Sequence, residues 1–338
     1  MFARFVLKRV GAAVLLVFGI VVVTFALTAL LPGDPAAAQL GDRASGDPAI
    51  VEAYRKAHGL DQPLWTQFVL YLVHLVQGDL GTSLQSRNPV LSDLAQFGPA
   101  SFELAVTATA IAVIVGVGLG ILAALRANGP LDHTLRVVSL GGVSIPIFWL
   151  SLIAVFLFST QLRLFPSSGR LNPGETPPNH ITGLYVLDSI ITANWATLGS
   201  SVAHLILPAL VLAAPMVGLL LRFTRSSMLE VIGNDYVRSA NAKGLPAGLV
   251  VRRHILRGAL VPVITVLGSA FASLLAGTVL VEQIFAWPGI GSYAYRSASN
   301  LDLPAIVGVT LFVAIVFILV NFLVDILYGL IDPRIRTS

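Results

Sequence analysis

"VGAAVLLVFGIVVVTFALTALL", residues 10–31, is an apolar run without a single charge, and the fold depends on whether it is a discarded leader or a membrane crossing. Arg4, Lys8 and Arg9 precede it, and Ala36-Ala37-Ala38 beyond it has the small residues of a cleavage site. A leader core, however, spans roughly 7 to 15 residues, whereas about 20 apolar residues cross the ~30 Å of bilayer hydrocarbon. The run is therefore read as an uncleaved first span.

The rest of the chain has the same character. Of 338 residues, 56% are hydrophobic and only 11% charged, with a mean hydropathy of +0.84. Soluble domains carry about 25% charged residues. Five further runs are long enough to cross, at roughly 103–125, 135–160, 203–221, 260–281 and 304–328. These predict an all-α membrane protein with six transmembrane helices. An even count puts both termini on one side. That side carries 14 of the Lys and Arg residues against 7 on the other, so the positive-inside rule predicts cytoplasmic termini. The net charge of +4 then reports orientation, and no nucleic-acid partner is implied.

The predicted organisation is a tail and first span over 1–31, an extracytoplasmic loop or cap over 32–99, a five-helix core over 100–330 and a cytoplasmic tail over 331–338. The core includes an extracytoplasmic loop at 161–202 and a cytoplasmic loop at 222–258. Leu64 to Val76 and Ile181 to Ile191 are apolar but short, and are read as interfacial helices on the outer face.

Several chemistries find no support. The chain has no cysteine, which excludes disulfides, iron-sulfur clusters and thiolate-bound zinc. It has no G-x-x-x-x-G-K-[ST] loop to cradle phosphates and no H-E-x-x-H, and its six histidines never fall three or four apart. No catalytic, metal or cofactor-binding residue is expected. Gly116-x-Gly118-x-Gly120 lies within a span, where glycines four apart serve close helix approach. Glu103 is expected at the outer mouth of the second span, favoured by the helix dipole. Asp325 is expected near the inner end of the sixth. With no carboxylate at mid-span, an ion-driven carrier or channel is the weaker alternative.

Thr265, Ser269, Ser273 and Gly277 recur every four residues along the fifth span and keep to one helix face. That stripe is either tight packing or the wall of a polar pathway. Glu282 either stands at the outer gate or caps the turn toward Pro288.

Residues 222–258 read as helix, break, helix. Met228, Leu229, Val231 and Ile232 lead to Tyr236-Val237, Gly244 closes the first helix and Pro246 opens the second. Such a segment is either a membrane-surface helix whose Lys and Arg meet lipid head groups, or a helix presented to a groove on a cytosolic partner. Arg225-Ser226-Ser227-Met228-Leu229-Glu230-Val231, Asp235-Tyr236-Val237-Arg238, Ala242-Lys243-Gly244-Leu245 and Arg257 through Val263 resemble the cytoplasmic loop of dipeptide and oligopeptide permeases of ATP-binding-cassette importers. Asn241 departs from the arginine usual there. Pro32-Gly33-Asp34-Pro35, Gly78 through Ser83, Phe102-Glu103-Leu104-Ala105, Pro288-Gly289-Ile290-Gly291 and Asp332-Pro333-Arg334 extend the resemblance over the whole chain.

The resemblance implies a type I importer permease (MetI-like) fold in the inner membrane. It implies a second homologous permease chain, two cytosolic ATPase subunits that bind ATP and Mg, and an extracytoplasmic protein that delivers peptide. Nickel chelates, glutathione or haem are the alternative cargo. The loop would then be a coupling helix, contacting the ATPase through Glu230, Asp235, Tyr236, Ala240, Lys243, Gly244 and Leu245, with Arg238, Arg252 and Arg253 flanking. Thr265, Ser269, Ser273 and Glu282 are the candidate pathway residues.

Overall fold

The computed structural model describes residues 2–30, 47–57 and 59–331. Helices dominate them, and the one extended pairing among them is an isolated bridge between Thr82 and Pro89. In chain order the helices are α1 (Phe2–Leu30), α2 (Pro48–Ala57), α3 (Leu64–Val76), α4 (Val90–Ala112), α5 (Gly118–Leu125), α6 (Pro130–Ser144) and α7 (Ile147–Ala154). They continue with α8 (Tyr185–Ile191), α9 (Trp195–Ile232), α10 (Asp235–Ala242), α11 (Ala247–Val250), α12 (Leu256–Gly277), α13 (Val279–Ile284), α14 (Ile290–Ser299) and α15 (Leu303–Ile331). Wider π turns at Val113–Val117 and Val251–Ile255 join α4 to α5 and α11 to α12, and a third, Val155–Gln161, ends α7.

Five helical stretches are long and apolar enough to cross a membrane, and a sixth is obtained if α6 and α7 count as one bent span. The bend is 103° and was hidden in the unbroken hydropathy of 135–160. Pro146 has no N–H to give and disfavours helical geometry at the residue before it, and Ile145 is extended at ψ 124°. Other spans overrun their expected ends. The second begins at Val90, just after Pro89, and carries Pro99 inside it. The fourth runs 38 residues with Pro208 and Pro215 inside, about 57 Å at 1.5 Å per residue, far beyond the hydrocarbon thickness.

The chain forms two compact units. One comprises Gly11–Gln96 and Ala294–Ile318. Within it, Phe25 of α1 meets Phe68 of α3 edge-on at 5.1 Å, and Phe18 meets the same ring at 6.2 Å. Buried Asp302 accepts from Ser83 Oγ at 2.6 Å and from the Gln85 N–H at 3.1 Å, tying the loop before α4 to the start of α15. Leu64–Val76 is a helix, as its length suggested.

The other unit comprises Met1–Val10, Phe97–Tyr293 and Leu319–Ser338. Its core sets small residues of α4 (Ala100, Ala105, Ala108, Ala112) among Leu205, Leu212, Met216 and Leu220 of α9. The expected close approach at Gly116 and Gly120 is present. A Cβ on Gly116 would fall 2.9 Å from the Leu220 side chain, and one on Gly120 2.8 Å from the Leu221 carbonyl oxygen, so both glycines are required where this segment lies on α9. Ile181–Ile191 is helical only from Tyr185. Buried Asp188 folds back to accept from the N–H groups of Thr182 and Gly183 at 2.9 Å each, which holds 181–183 as a turn. The side chains of Ser273 and Asp325, the surroundings of Gly277, and residue Arg334 lie outside what is described.

Candidate functional site

Three arrangements in the second unit bear on function, each built from residues the sequence singled out. The first is the segment after α9. Residues 222–258 hold three helical pieces where the sequence predicted two, namely the end of α9, α10, and the run from α11 into α12, because α9 ends at Ile232 and a break at Gly233-Asn234 precedes α10. Pattern reading missed that break because the apolar positions run on through Tyr236-Val237. Beyond α10, Gly244 takes φ +72°, a left-handed turn that only glycine adopts without strain, and Pro246 leads into α11.

Helix α10 is amphipathic. Val237 and Ala240 turn inward to a cluster with Met228, Val231, Val250, Ile255 and Ala259. Asp235, Tyr236 and Arg238 face outward. Exposed with them are Glu230 on the last turn of α9, Lys243 and Gly244 at the turn, and Arg252 and Arg253 beyond it. Leu245 is partly buried against the cluster. Ala240 is therefore removed from the expected contact face by its own packing, at 5% exposure. The Asp235–Arg238 pair, at 3.4 Å, is almost wholly solvated, and such a pair contributes at most about 1 kcal/mol. Its residues are better placed to meet a partner than to hold the fold. Ser227 Oγ donates to the Ala259 carbonyl at 2.9 Å, fastening α9 to α12 beside this cluster.

The second arrangement is an open-sided cavity of about 390 Å³ among the helices. Val143 and Ile147 line it from either side of the α6–α7 bend, with Leu212, Pro215, Met216 and Leu219 from α9. Helix α12 adds Ser269, Ala270 and Leu274. Of the predicted polar stripe, Ser269 reaches this wall and its Oγ donates to the Val266 carbonyl. Thr265 is exposed, with its hydroxyl donating to the Val261 carbonyl at 3.3 Å. The lining is thus mostly apolar, with one hydroxyl.

The third is a buried polar girdle around the middle of α4. Glu103 does not sit at a helix mouth: α4 begins at Val90, so the dipole has no part in holding it. Its charge is met by Arg170, an ion pair at 2.5 Å with both side chains under 8% exposed. Glu103 also accepts from the Val186 N–H at 2.8 Å. The Arg170 guanidinium in turn lies 3.5 Å from the centre of the Tyr185 ring. Glu282 is fully buried, accepting from Ser101 Oγ at 2.6 Å and from the Ser292 N–H at 2.8 Å. Burial pushes its carboxyl above the usual range, against the opposing pull of these donors. It ties the turn at Pro288–Gly291 to α4, as the second of its two sequence readings had it.

Arg170 and Asp132 both escaped pattern reading. Nothing local in a sequence marks a cation in a loop as the counter-ion of a carboxylate on a helix many residues away.

Long apolar helices, one pair of them sharply bent beside a small open cavity, together with an exposed basic segment, fit the class of multi-pass membrane transport subunits. Residues 116–337 match the family described as "Binding-protein-dependent transport system inner membrane component", and residues 1–105 match its N-terminal counterpart. The chain belongs to this family, and it is a multi-pass protein of the inner membrane. Among its relatives, the probable D,D-dipeptide transport system permease protein DdpB of Escherichia coli K12 is 46% identical over 97% of this chain and 96% of its own length. The di/tripeptide transport system permease protein DppB of Pseudomonas aeruginosa is 44% identical over 98% of each chain. A solved MetNI methionine ABC transporter in an inward-facing conformation aligns with a TM-score of 0.52, covering 70% of this chain and 96% of its own at 15% identity, a likeness of fold.

Proposed function

We propose that this chain is the membrane-spanning permease subunit of an ATP-driven importer for di- and oligopeptides. The α6–α7 pair is one broken span, so that six helices cross, with both termini in the cytosol. A second permease chain completes the pathway, two cytosolic ATPase subunits bind and hydrolyse ATP with Mg, and an extracytoplasmic binding protein delivers the peptide. The observation that carries this reading is full-length similarity to permeases named for dipeptides, joined to an outward-facing α10 whose charged residues have little to do for the fold itself.

In this reading α10 is the coupling helix. Asp235, Tyr236, Arg238, Lys243 and Gly244 would face the ATPase, with Glu230, Leu245, Arg252 and Arg253 around them. Ala240 would support the helix from beneath. ATP-driven closure of the partners displaces α10, and the bundle exchanges one access for the other. Transmission requires that α10 bind its partner with different energy in the two states. Ser269 would give the cavity wall its hydrogen-bonding capacity, while Glu282 holds the outer turn.

Tagged chain purified from native membranes in mild detergent should bring down two ATPase chains and one further permease. Proteoliposomes holding that complex and its binding protein should accumulate radiolabelled alanyl-alanine only with MgATP inside. Accumulation by this chain alone would overturn the proposal. An intact complex that takes up a nickel chelate, glutathione or haem in place of the dipeptide would overturn the cargo alone.

A further inference from the structure

Asp132 and Arg225 form the most completely buried ion pair at the α10 end of the unit, and the function described so far does not use it. Arg225 approaches side-on, Nε to Oδ1 at 2.5 Å and Nη2 to Oδ2 at 2.7 Å. This two-pronged geometry restricts rotation as well as separation. Asp132 is wholly buried, and its Oδ2 also accepts from the Asn128 N–H at 2.9 Å. Arg136 stands farther off, at 3.9 Å.

The pair is the lowest of three rivets between α6 and α9. Two turns along, a Cβ on Gly218 would lie 2.6 Å from the Ser139 carbonyl oxygen, and next to it one on Gly142 would lie 3.1 Å from that of Ala214. The matched steps, 132 to 139 to 142 against 225 to 218 to 214, are those of two antiparallel helices in contact along one seam. The seam stops at the α6–α7 bend, where Val143 and Ile147 meet the cavity. At its other end α9 runs on to Gly233 and α10.

We propose that the Asp132–Arg225 fork is a positioning clamp that makes α6 and α9 one rigid arm, so that displacement of α10 is delivered to the cavity at the Ile145–Pro146 bend. The inference rests on the importer reading only for the source of the displacement. Arg225 and Asp132 touch neither nucleotide nor cargo and act through the arm. Without the fork, α9 can slide or twist on α6 at the end where force enters, and ATP is spent without opening the cavity.

The absence of native cysteine allows spin labels at chosen pairs on the intact complex in lipid nanodiscs. Leu140 and Phe223, exposed on α6 and α9, report within the arm, and Phe156 with Phe223 reports across the bend. The Leu140–Phe223 distance should be narrow and the same with no nucleotide and after trapping with MgATP and vanadate, while Phe156–Phe223 shifts. Asp132→Asn should broaden the first distribution about twofold and raise ATP hydrolysed per alanyl-alanine imported about fivefold, with the amount of assembled complex unchanged. Arg225→Lys, which keeps the charge and removes the fork, should fall between and covers the case in which Asp132→Asn fails to assemble. A Leu140–Phe223 distance that moves on trapping in the unaltered protein, or stays narrow in both variants, overturns the clamp. If no ATPase accompanies the chain, the importer reading fails, and the spread of that same distance in the chain as purified still decides whether the fork fastens the two helices.

Discussion

Arg170 shows how far one side chain can matter in a bundle of this composition. Its guanidinium is the charge partner of Glu103 and also donates to the Gly183 carbonyl at 3.1 Å. Arg170→Ala would leave a buried carboxylate alone, a loss of roughly 3–5 kcal/mol. Thermal unfolding in detergent should register it as a marked drop in Tm, with Arg170→Ala/Glu103→Gln recovering much of the loss. Asp188 yields a pH prediction of definite sign. Burial pushes its carboxyl up, but the donors from Thr182, Gly183 and Ile181 outweigh this and hold it below its ordinary value. A carboxyl lowered in the fold stabilises fully above the unfolded value near pH 4 and loses that contribution as pH falls through the folded one. Proteolysis of the 161–202 segment should therefore accelerate below about pH 4, and Asp188→Asn should flatten that acid limb. The sequence made Glu103 conspicuous as a carboxylate in an apolar stretch. Its partner was not legible, because Arg170 comes from a loop whose path only the fold determines.

At the scale of elements, helices were legible and their ends often were not. Hydropathy reports what a segment is immersed in, and it stays high through Ile145–Pro146 although the backbone turns sharply there. It falls after Leu221 although α9 continues to Ile232. Gly244 was legible, because a Gly-Leu-Pro sequence after a polar helix has few other uses. A Cβ there would meet nothing within 4 Å, so the chain itself has room for a large side chain, and only the positive φ opposes it, at about 1 kcal/mol. Gly244→Trp should consequently insert and fold while abolishing substrate-stimulated ATP hydrolysis in the reconstituted complex. Gly244→Ala, which bears the strain with little bulk, should keep most of it. Full stimulation in the tryptophan variant would disconnect α10 from the ATPase.

For the whole molecule, the sequence conveyed the class through its charge distribution and its spaced motifs. Which helices touch was beyond it, since small residues at seams such as Gly116 and Gly218 look alike whatever they approach. The predicted orientation can be measured directly. With no native cysteine to react, Arg238→Cys should be modified by a membrane-impermeant maleimide only in inside-out vesicles, and Glu175→Cys only in right-side-out cells. The reverse pattern would invert the assignment of α10 to the cytosol and with it the direction of transport.

The unbroken stretch of α9 from Arg225 to Ile232 makes the interval a gear setting. One added residue there turns everything downstream by about 100° about the α9 axis, so that α10 as a whole is carried away from the apolar seat that Val237 and Ala240 occupy. An exposed side chain of this interval such as Ser226 can be exchanged with modest effect, but the number of residues cannot change. A one-residue insertion after Ser226 should leave the hydropathy profile unchanged and idle the engine.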